Sequence, residues 1–434
     1  MSNNKMPISE NYTLTAGGHA VKVYHTKEAD FAVVCFTGSI DTMDINIKTK
    51  QKFDNDNITV RPLRGDYNVQ TTGENEITLH LSSEHRVSVE PYGLENPLFI
   101  LCAEYIEKPC NATHIFERGT FSEIGLVKLK SGDCVYIEDG AIVVGCFTAD
   151  CEKDIEITGN GIIWGLPMLN HPTIKKPSSF LPIECENIKV SGVTMAESAT
   201  WTLVPTACRN VSITGVNIIA SRMSSDGIDV VGSEDVDIKH CFICVNDDCI
   251  AIKAVKYFDE RGAKNVKNVS VKDCVFWKLA CGNAVEIGYE TSCDEICGVV
   301  FENINIIHCQ YEGWQSGGVF TIHNGDRAYV HDVIYHDIYV EDAQEKLIDI
   351  KILSSKYSSD SQRGKVSDIT FYNIYVSGDV LPPSILRGYE SDDGKFELIT
   401  NVNIRNLFLN GKKVLGRMNT HIITELSQNV MFEE

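Results

Sequence analysis

IEITGNGII (155–163), VSITGVNII (211–219), VSVKDCVFW (269–277) and ITFYNIYV (369–376) share one form: a β-rich stretch, a small or polar residue, then a second β-rich stretch. Five more copies are IKVSGVTM from Ile188, VDIKHCFI from Val236, VVFENINII from Val299, VIYHDIYV from Val333 and VNIRNLFL from Val402. Successive starts lie 33, 23, 25, 33, 30, 34, 36 and 33 residues apart. A constant β core at an uneven period marks a solenoid whose coils stack and whose loops vary in length. Propeller blades need about 40–45 residues and four strands each, and the leucine pattern of leucine-rich repeats is missing. An all-β fold follows, with a right-handed parallel β-helix over 113–434 and its N-terminal end capped near residues 115–145.

Residues 1–112 read differently. HAVKVYH (19–25), FAVVCFTGS (31–39), IDTMDINIK (40–48), NEITLHL (75–81) and HRVSVEP (85–91) alternate with period two and are separated by turn residues such as Gly65-Asp66 and Gly73. This pattern predicts a small N-terminal β-sandwich.

At 434 residues the chain exceeds one ordinary compact core. Its formal net charge of −21 repels nucleic-acid phosphates and anionic membranes, and argues against a highly anionic polymer as substrate. The polar start MSNNKMPISENY has no apolar segment of the secretory kind, and no apolar run approaches a membrane span. A cytoplasmic protein with reduced thiols is therefore expected, its 16 cysteines serving mostly as small packing residues. No four-ligand zinc spacing is present, so neither metal nor cofactor is expected.

The densest acidic signal spans two consecutive repeats: SSDGID (224–229) and VNDDCIAIK (245–253). Stacked coils lie about 4.8 Å apart, so Asp226 can share one patch of wall with Asp247 and Asp248. Clustered carboxylates raise at least one pKa, giving a proton donor beside an ionised partner. Glycoside hydrolysis needs that division of labour. Alone, the same acids could be a solvated turn or a Ca²⁺ site.

SSDGID and VNDDCIAIK resemble the NTDG and DDCIAIK motifs of polygalacturonase-type hydrolases, glycoside hydrolase family 28. Trp201-Thr202-Leu203-Val204-Pro205 resembles their WT-x-x-P element, and Ile157-Thr158-Gly159-Asn160-Gly161 their earlier Gly-x-Gly turn. Order and spacing agree over roughly residues 115–410. The resemblance implies that Asp226, Asp247 and Asp248 are the catalytic acids of an inverting hydrolase. It makes one member of the Asp247–Asp248 pair the general acid (Asp248 is favoured), with the other two activating water. Inversion asks for acid and base about 6.5–9.5 Å apart.

The departures bear on substrate. Where polygalacturonases carry Gly-His-Gly, this chain has Gly282-Asn283-Ala284; where they carry Arg-Ile-Lys, it has Thr321-Ile322-His323. Arg is the side chain suited to bidentate carboxylate binding, so polygalacturonate is not the expected substrate. Family 49 dextranases, which also lack both motifs, are similar in the sandwich-plus-helix layout, in VNDD, in Trp277-Lys278 and in a turn near Tyr289. A neutral oligosaccharide or glycoside is the expected partner, cleaved in an exo manner, with 253–268 and 310–326 as the insertions that could block one end of the groove.

Candidate substrate contacts are Trp201, Lys253, Asn283, Glu286, Tyr289, Trp314 and His323. Alternation puts Asn283, Val285, Ile287 and Tyr289 on one face and Glu286 on the other unless a bulge intervenes. Trp201 reads equally as a core residue, His323 as the end of a strand, and Lys253 as a solvated lysine or as a cation that keeps Asp247 ionised. Arg387 and Glu390 are weaker candidates from a late coil. A polygalacturonase-like hydrolase of pectic fragments, a lyase or fructotransferase on the same fold, and a non-enzymatic glycan-binding solenoid are the alternatives. Homo-oligomerisation stays open.

Overall fold

The computed structural model describes residues 5–433 apart from 39, 176, 314–316, 379–380 and 417–420, and apart from the side chain of residue 56. Among the described residues no helix is long and apolar enough to cross a membrane; the chain is built almost wholly of strands.

Two five-stranded sheets form between Tyr12 and Glu104. In one, the antiparallel strands Thr42–Thr49 and Glu76–Ser82 alternate, sending Ile45, Ile47, Ile77, Leu79 and Leu81 into the sandwich core. The other contains Asp30–Phe36 and Leu98–Glu104, paired in parallel. Its sequence does not alternate because both of its faces are covered. Val34 and Ile100 point into the sandwich. Phe31, Phe99 and Leu101 point out onto the solenoid, where the Phe99 ring lies 4.8 Å from Phe242 and 5.5 Å from Trp277.

From His114 onward the chain winds as a right-handed parallel β-helix. The repeat starts found in the sequence stack in register: Ile155 on Ile188, then Val211, Val236, Val269, Val299, Val333, Ile369 and Val402, each facing the next. A further partner, Val430, extends the row. Residues 115–145 form the first coils themselves, with Phe121–Lys128 parallel to Ile142–Asp150, rather than a separate cap. Inside, residues stack with their own kind, as in the column Phe301, Tyr335 and Phe371 with centroids 5.0 and 4.7 Å apart.

The polar residue inside each repeat has a structural cause. Gly192, Gly215, His240, Asp273, Asn303, Asp337, Asn373 and Asn406 all have positive φ, between 49° and 73°. The chain turns there through the left-handed region, which Gly, Asn and Asp tolerate best. Neighbours bond to one another: Asn373 Nδ2 donates to Asp337 Oδ1 (2.8 Å), and Asn406 Nδ2 to Asn373 Oδ1 (3.1 Å). A second ladder runs along another edge, where Asn187 donates to Asp154 at 2.8 Å and Asn210 to Asn187 at 2.7 Å. Asn373→Ala is expected to cost about 2–4 kcal/mol, from lost ladder bonds and the strained φ. Asn373→Gly should cost clearly less, because only the bonds are lost. Urea midpoints of the two variants check the order.

Candidate active site

A seven-stranded parallel sheet forms one wall of the solenoid. Its strands include Ile228–Val231, Ile250–Ala254, Val285–Thr291, Phe320–Asn324 and Ile348–Ile352. Register then fixes rows across the coils. Two residues before each strand stand Asp226, Asp248, Asn283, Gly318 and Lys346, with Trp201 one coil before Asp226 through the Leu203–Ile228 bridge. A second row reads Asp229, Ala251, Glu286, Thr321, Asp349.

Stacking brings Asp226, Asp247 and Asp248 together: one carboxylate oxygen from each lies within 4.8 Å of the others. Asp226 and Asp248 are buried, whereas Asp247 is partly exposed. Lys253, itself buried, reaches between them; its Nζ lies 2.9 Å from Asp226, 3.3 Å from Asp229 and 3.6 Å from Asp248. Its partner is thus not Asp247, as alternation suggested. Asp248 Oδ1 accepts from the backbone N and Nδ2 of Asn283 at 2.9 and 2.8 Å. Asp247 Oδ2 accepts from the Ser224 amide at 2.8 Å. Gly282 permits this packing: at φ +76°, an added Cβ would lie 2.3 Å from the Asp247 carbonyl carbon. Asp226 Oδ1 and Asn283 Oδ1, both buried, accept nothing from the described residues.

Burial pushes the Asp226 and Asp248 carboxyls well above the ordinary range against the pull of Lys253. It raises Asp229 to about 7. Burial also disfavours charge on Lys253, yet Asp226 and Asp229 beside it raise its pKa. One ammonium cannot balance four close carboxylates, so the cluster retains at least one proton at neutral pH. Asp229 went unassigned from the sequence, though it lies inside the SSDGID stretch three residues after Asp226. Because Lys253 already fills the centre of the acid cluster, the residues present suit an internal ion pair better than a resident cation.

The remaining candidates divide. Val285 and Ile287 face the core, so Glu286 points to the groove side, but it is fully buried. Its carboxylate accepts from Thr321 Oγ1 and pairs with His323 Nδ1 at 2.9 Å. His323 Nε2 faces Asp349 Oδ2 at 3.4 Å, and Asp349 also holds Lys346 and Lys351 at 3.3 and 2.8 Å. Glu286 and His323 are therefore network residues beneath the wall rather than open sugar contacts. Asn283 precedes its strand and escapes the alternation. Tyr289 is re-aimed by a bulge, since Ile252 pairs with Ile287 but Ala254 with Thr291, and it stacks on His323 at 4.3 Å. Trp201 is 8% exposed; its ring carries the Lys253 ammonium at 3.9 Å and Tyr257 at 5.2 Å, which leaves little of it for a sugar. Trp314 lies outside the described residues. Arg387 pairs with Glu425 at 2.6 Å in a late coil, away from the acids. All 16 cysteines are free thiols.

The family model for glycosyl hydrolases family 28 matches residues 143–379, more than half of the chain, including Asp226, Asp229, Asp247 and Asp248. The chain belongs to glycosyl hydrolase family 28. A probable polygalacturonase from Arabidopsis thaliana is 27% identical over 228 residues, covering 52% of this family 28 chain and 46% of that protein. The aligned part thus spans about half the length of that curated relative. Among solved structures, Dex49A from Penicillium minioluteum superposes with a TM-score of 0.66 at 14% identity, covering 95% of this chain and 91% of that one. An exopolygalacturonase from Thermotoga maritima gives 0.51 at 17% identity, over 67% and 83% of the two chains. A polygalacturonase from Erwinia carotovora gives 0.52 at 17% identity, over 73% and 87%. These likenesses establish the shared fold: Dex49A matches nearly the whole chain, the two polygalacturonases about two thirds to three quarters of it.

His323 supplies a pH signature. Burial opposes its charge, but Glu286 and Asp349 on either side raise its pKa to about 9, above the ordinary value near 6.5. Its contribution to stability is therefore complete below about pH 6.5 and lost as pH rises through about 9, on the order of 3 kcal/mol in all. The urea midpoint should fall over that window, and His323→Gln should flatten the fall while lowering the overall midpoint.

Proposed function

We propose that this family 28 protein is an inverting glycoside hydrolase acting on neutral oligosaccharides or glycosides. The observation that carries the reading is the convergence of Asp226, Asp247 and Asp248 on one patch, with Lys253 reaching two of them, Asp226 and Asp248. Asp226 and Asp248 share the Lys253 ammonium, which opposes the protonation that burial favours on both; paired this way and set back from the surface, they are placed to hold and activate a water. Asp247 has no cation within 4 Å among the described residues and is the member that reaches the surface, which suits it to protonate the leaving oxygen. This reverses the order favoured from sequence, where Asp248 was the acid.

The nearest carboxylate oxygens are closer than the 6.5–9.5 Å window of typical inverting enzymes, so spacing alone does not select inversion. What supports it is the state of the other two acids. Asp226 and Asp248 are buried and held by Lys253 and Asn283, poorly placed to swing onto an anomeric carbon, so water is the better nucleophile.

One observation supports the substrate class and another the mode of attack. The positions that carry cations in the resembling Arg-Ile-Lys motif are Thr321 and His323, both fully buried and engaged with Glu286. An exo mode is supported by the arm after Lys253. Arg261 ties it to Asp150 and Glu184 at 2.8 and 3.0 Å, and Tyr257 and Phe258 close over Trp201 on the N-terminal side of the acids. A pectic oligosaccharide is the second reading, favoured by the Arabidopsis relative's name. The cytoplasmic setting expected from the sequence, which would supply short imported glycans, is part of the same proposal.

A screen of gluco-, galacto-, fructo- and galacturono-oligosaccharides and activated aryl glycosides tests the reading. Asp226→Asn, Asp247→Asn and Asp248→Asn should each lower kcat on natural linkages by about 10²-fold or more. With a dinitrophenyl leaving group, which departs unaided, Asp247→Asn should recover most activity and Asp248→Asn should not. Recovery in Asp248→Asn instead would restore the other order. Proton NMR of the first-formed sugar should show the anomer opposite to the substrate's; the same anomer would exclude inversion.

A further inference from the structure

Four tyrosines are conspicuously exposed: Tyr257, Tyr311, Tyr329 and Tyr357. Tyr257 and Tyr357 come from separate loops, yet each leans on an aromatic layer built over a buried charge beside the acid patch. Tyr257, 62% exposed, stacks on Trp201 with ring planes 29° apart, and Trp201 covers the Lys253 ammonium. Tyr357, 47% exposed, packs at 5.7 Å against Tyr289, and Tyr289 covers the His323 imidazole with planes 13° apart. By register, Trp201 lies one coil before Asp226, while His323 lies two coils beyond the Asp248 coil. The two stacks therefore bracket the acids at a separation of about four coils, on the order of 19 Å.

We infer that Tyr257 and Tyr357 are the specificity-determining platforms of the groove, one on each side of the cleaved bond, and that their ligand is an uncharged pyranose chain of about five residues, the length that spans the two stacks. This deepens the proposed function and rests on it. An aromatic face left in water invites the apolar face of a sugar ring, while its hydroxyl stays free to bond at the rim. The buried cation beneath each stack is already paired with carboxylates, Lys253 with Asp226 and His323 with Glu286, so neither stack presents open positive charge to a uronate. Lys356, whose Nζ lies 4.8 Å over the Tyr357 ring, is the nearby cation that a uronate would recruit instead, and this makes the charge preference a real test.

The experiment is calorimetric binding to the full-length Asp247→Asn protein, using maltopentaose, isomaltopentaose, nigeropentaose, xylopentaose and pentagalacturonate as probes. At least one neutral pentasaccharide should bind about tenfold more tightly than pentagalacturonate. Adding Tyr257→Ala or Tyr357→Ala should weaken that binding by about five- to tenfold each, and Tyr257→Phe by less than about twofold. Equal or tighter binding of pentagalacturonate, unchanged affinity in both alanine variants, or no binding of any neutral probe would each overturn the inference. Both side chains are exposed, so circular dichroism and urea midpoints should match the parent; a variant that unfolds is replaced by Tyr→Ser at the same position. Binding is read without turnover, so failure of the acid–base assignment appears separately, as residual cleavage by Asp247→Asn.

Discussion

Parallel stacking in register is the constraint from which the rest of the molecule follows. Residues at equal positions of neighbouring coils must lie about 4.8 Å apart, whatever they are. Apolar columns such as Phe301, Tyr335 and Phe371 profit from that spacing. Polar columns must be self-compatible: asparagine is, because it both donates and accepts along the row. Carboxylates are not. A row that places Asp226 next to Asp248 stores repulsion that the fold has to offset.

Lys253 is the offset. From the coil of Asp248 it reaches back to Asp226 and Asp229, with Trp201 above it. Since the ammonium is outnumbered, the cluster stays protonated in part. The same imbalance that strains the wall gives it a removable proton beside ionised acceptors. A second buried network, Glu286 with His323 and Asp349, is closer to balance because Lys346 and Lys351 join it. It stiffens the wall beneath Tyr289.

Most of the architecture was legible in the sequence, because a solenoid repeats its local signals: nine repeat starts read from period and composition prove to be one column. The acids were legible because they crowd onto two consecutive repeats, within SSDGID and VNDDCIAIK, whose motifs resemble those of family 28. Side-chain partners were harder to read. Alternation fails outside regular strands, so Asn283 and Tyr289 were misplaced, one before its strand and one on a bulge. Glu286 and His323 looked like open contacts because a polar residue on an outward strand position gives no sign that three neighbours bury it. Tyr257 and Tyr357 were not singled out, although Tyr257 lies in the 253–268 insertion that was; both sit on loops, and the course of the first is set by distant anchors such as Arg261 on Asp150.

Arg261 points to a broader division within the chain. The arm it tethers leaves the wall after Ala254, and the solenoid resumes in the neighbouring sheet with Val266–Lys272, in register with Glu234–Lys239 of the coil before it. Lengthening, shortening or replacing such an arm changes what borders the groove without displacing a single carboxylate. On the proposed reading, bond-breaking chemistry is written in the strands and their turns, ligand choice in the excursions between them. The two can therefore drift at different speeds, which gives a plain route by which one wall of acids comes to serve many different sugars.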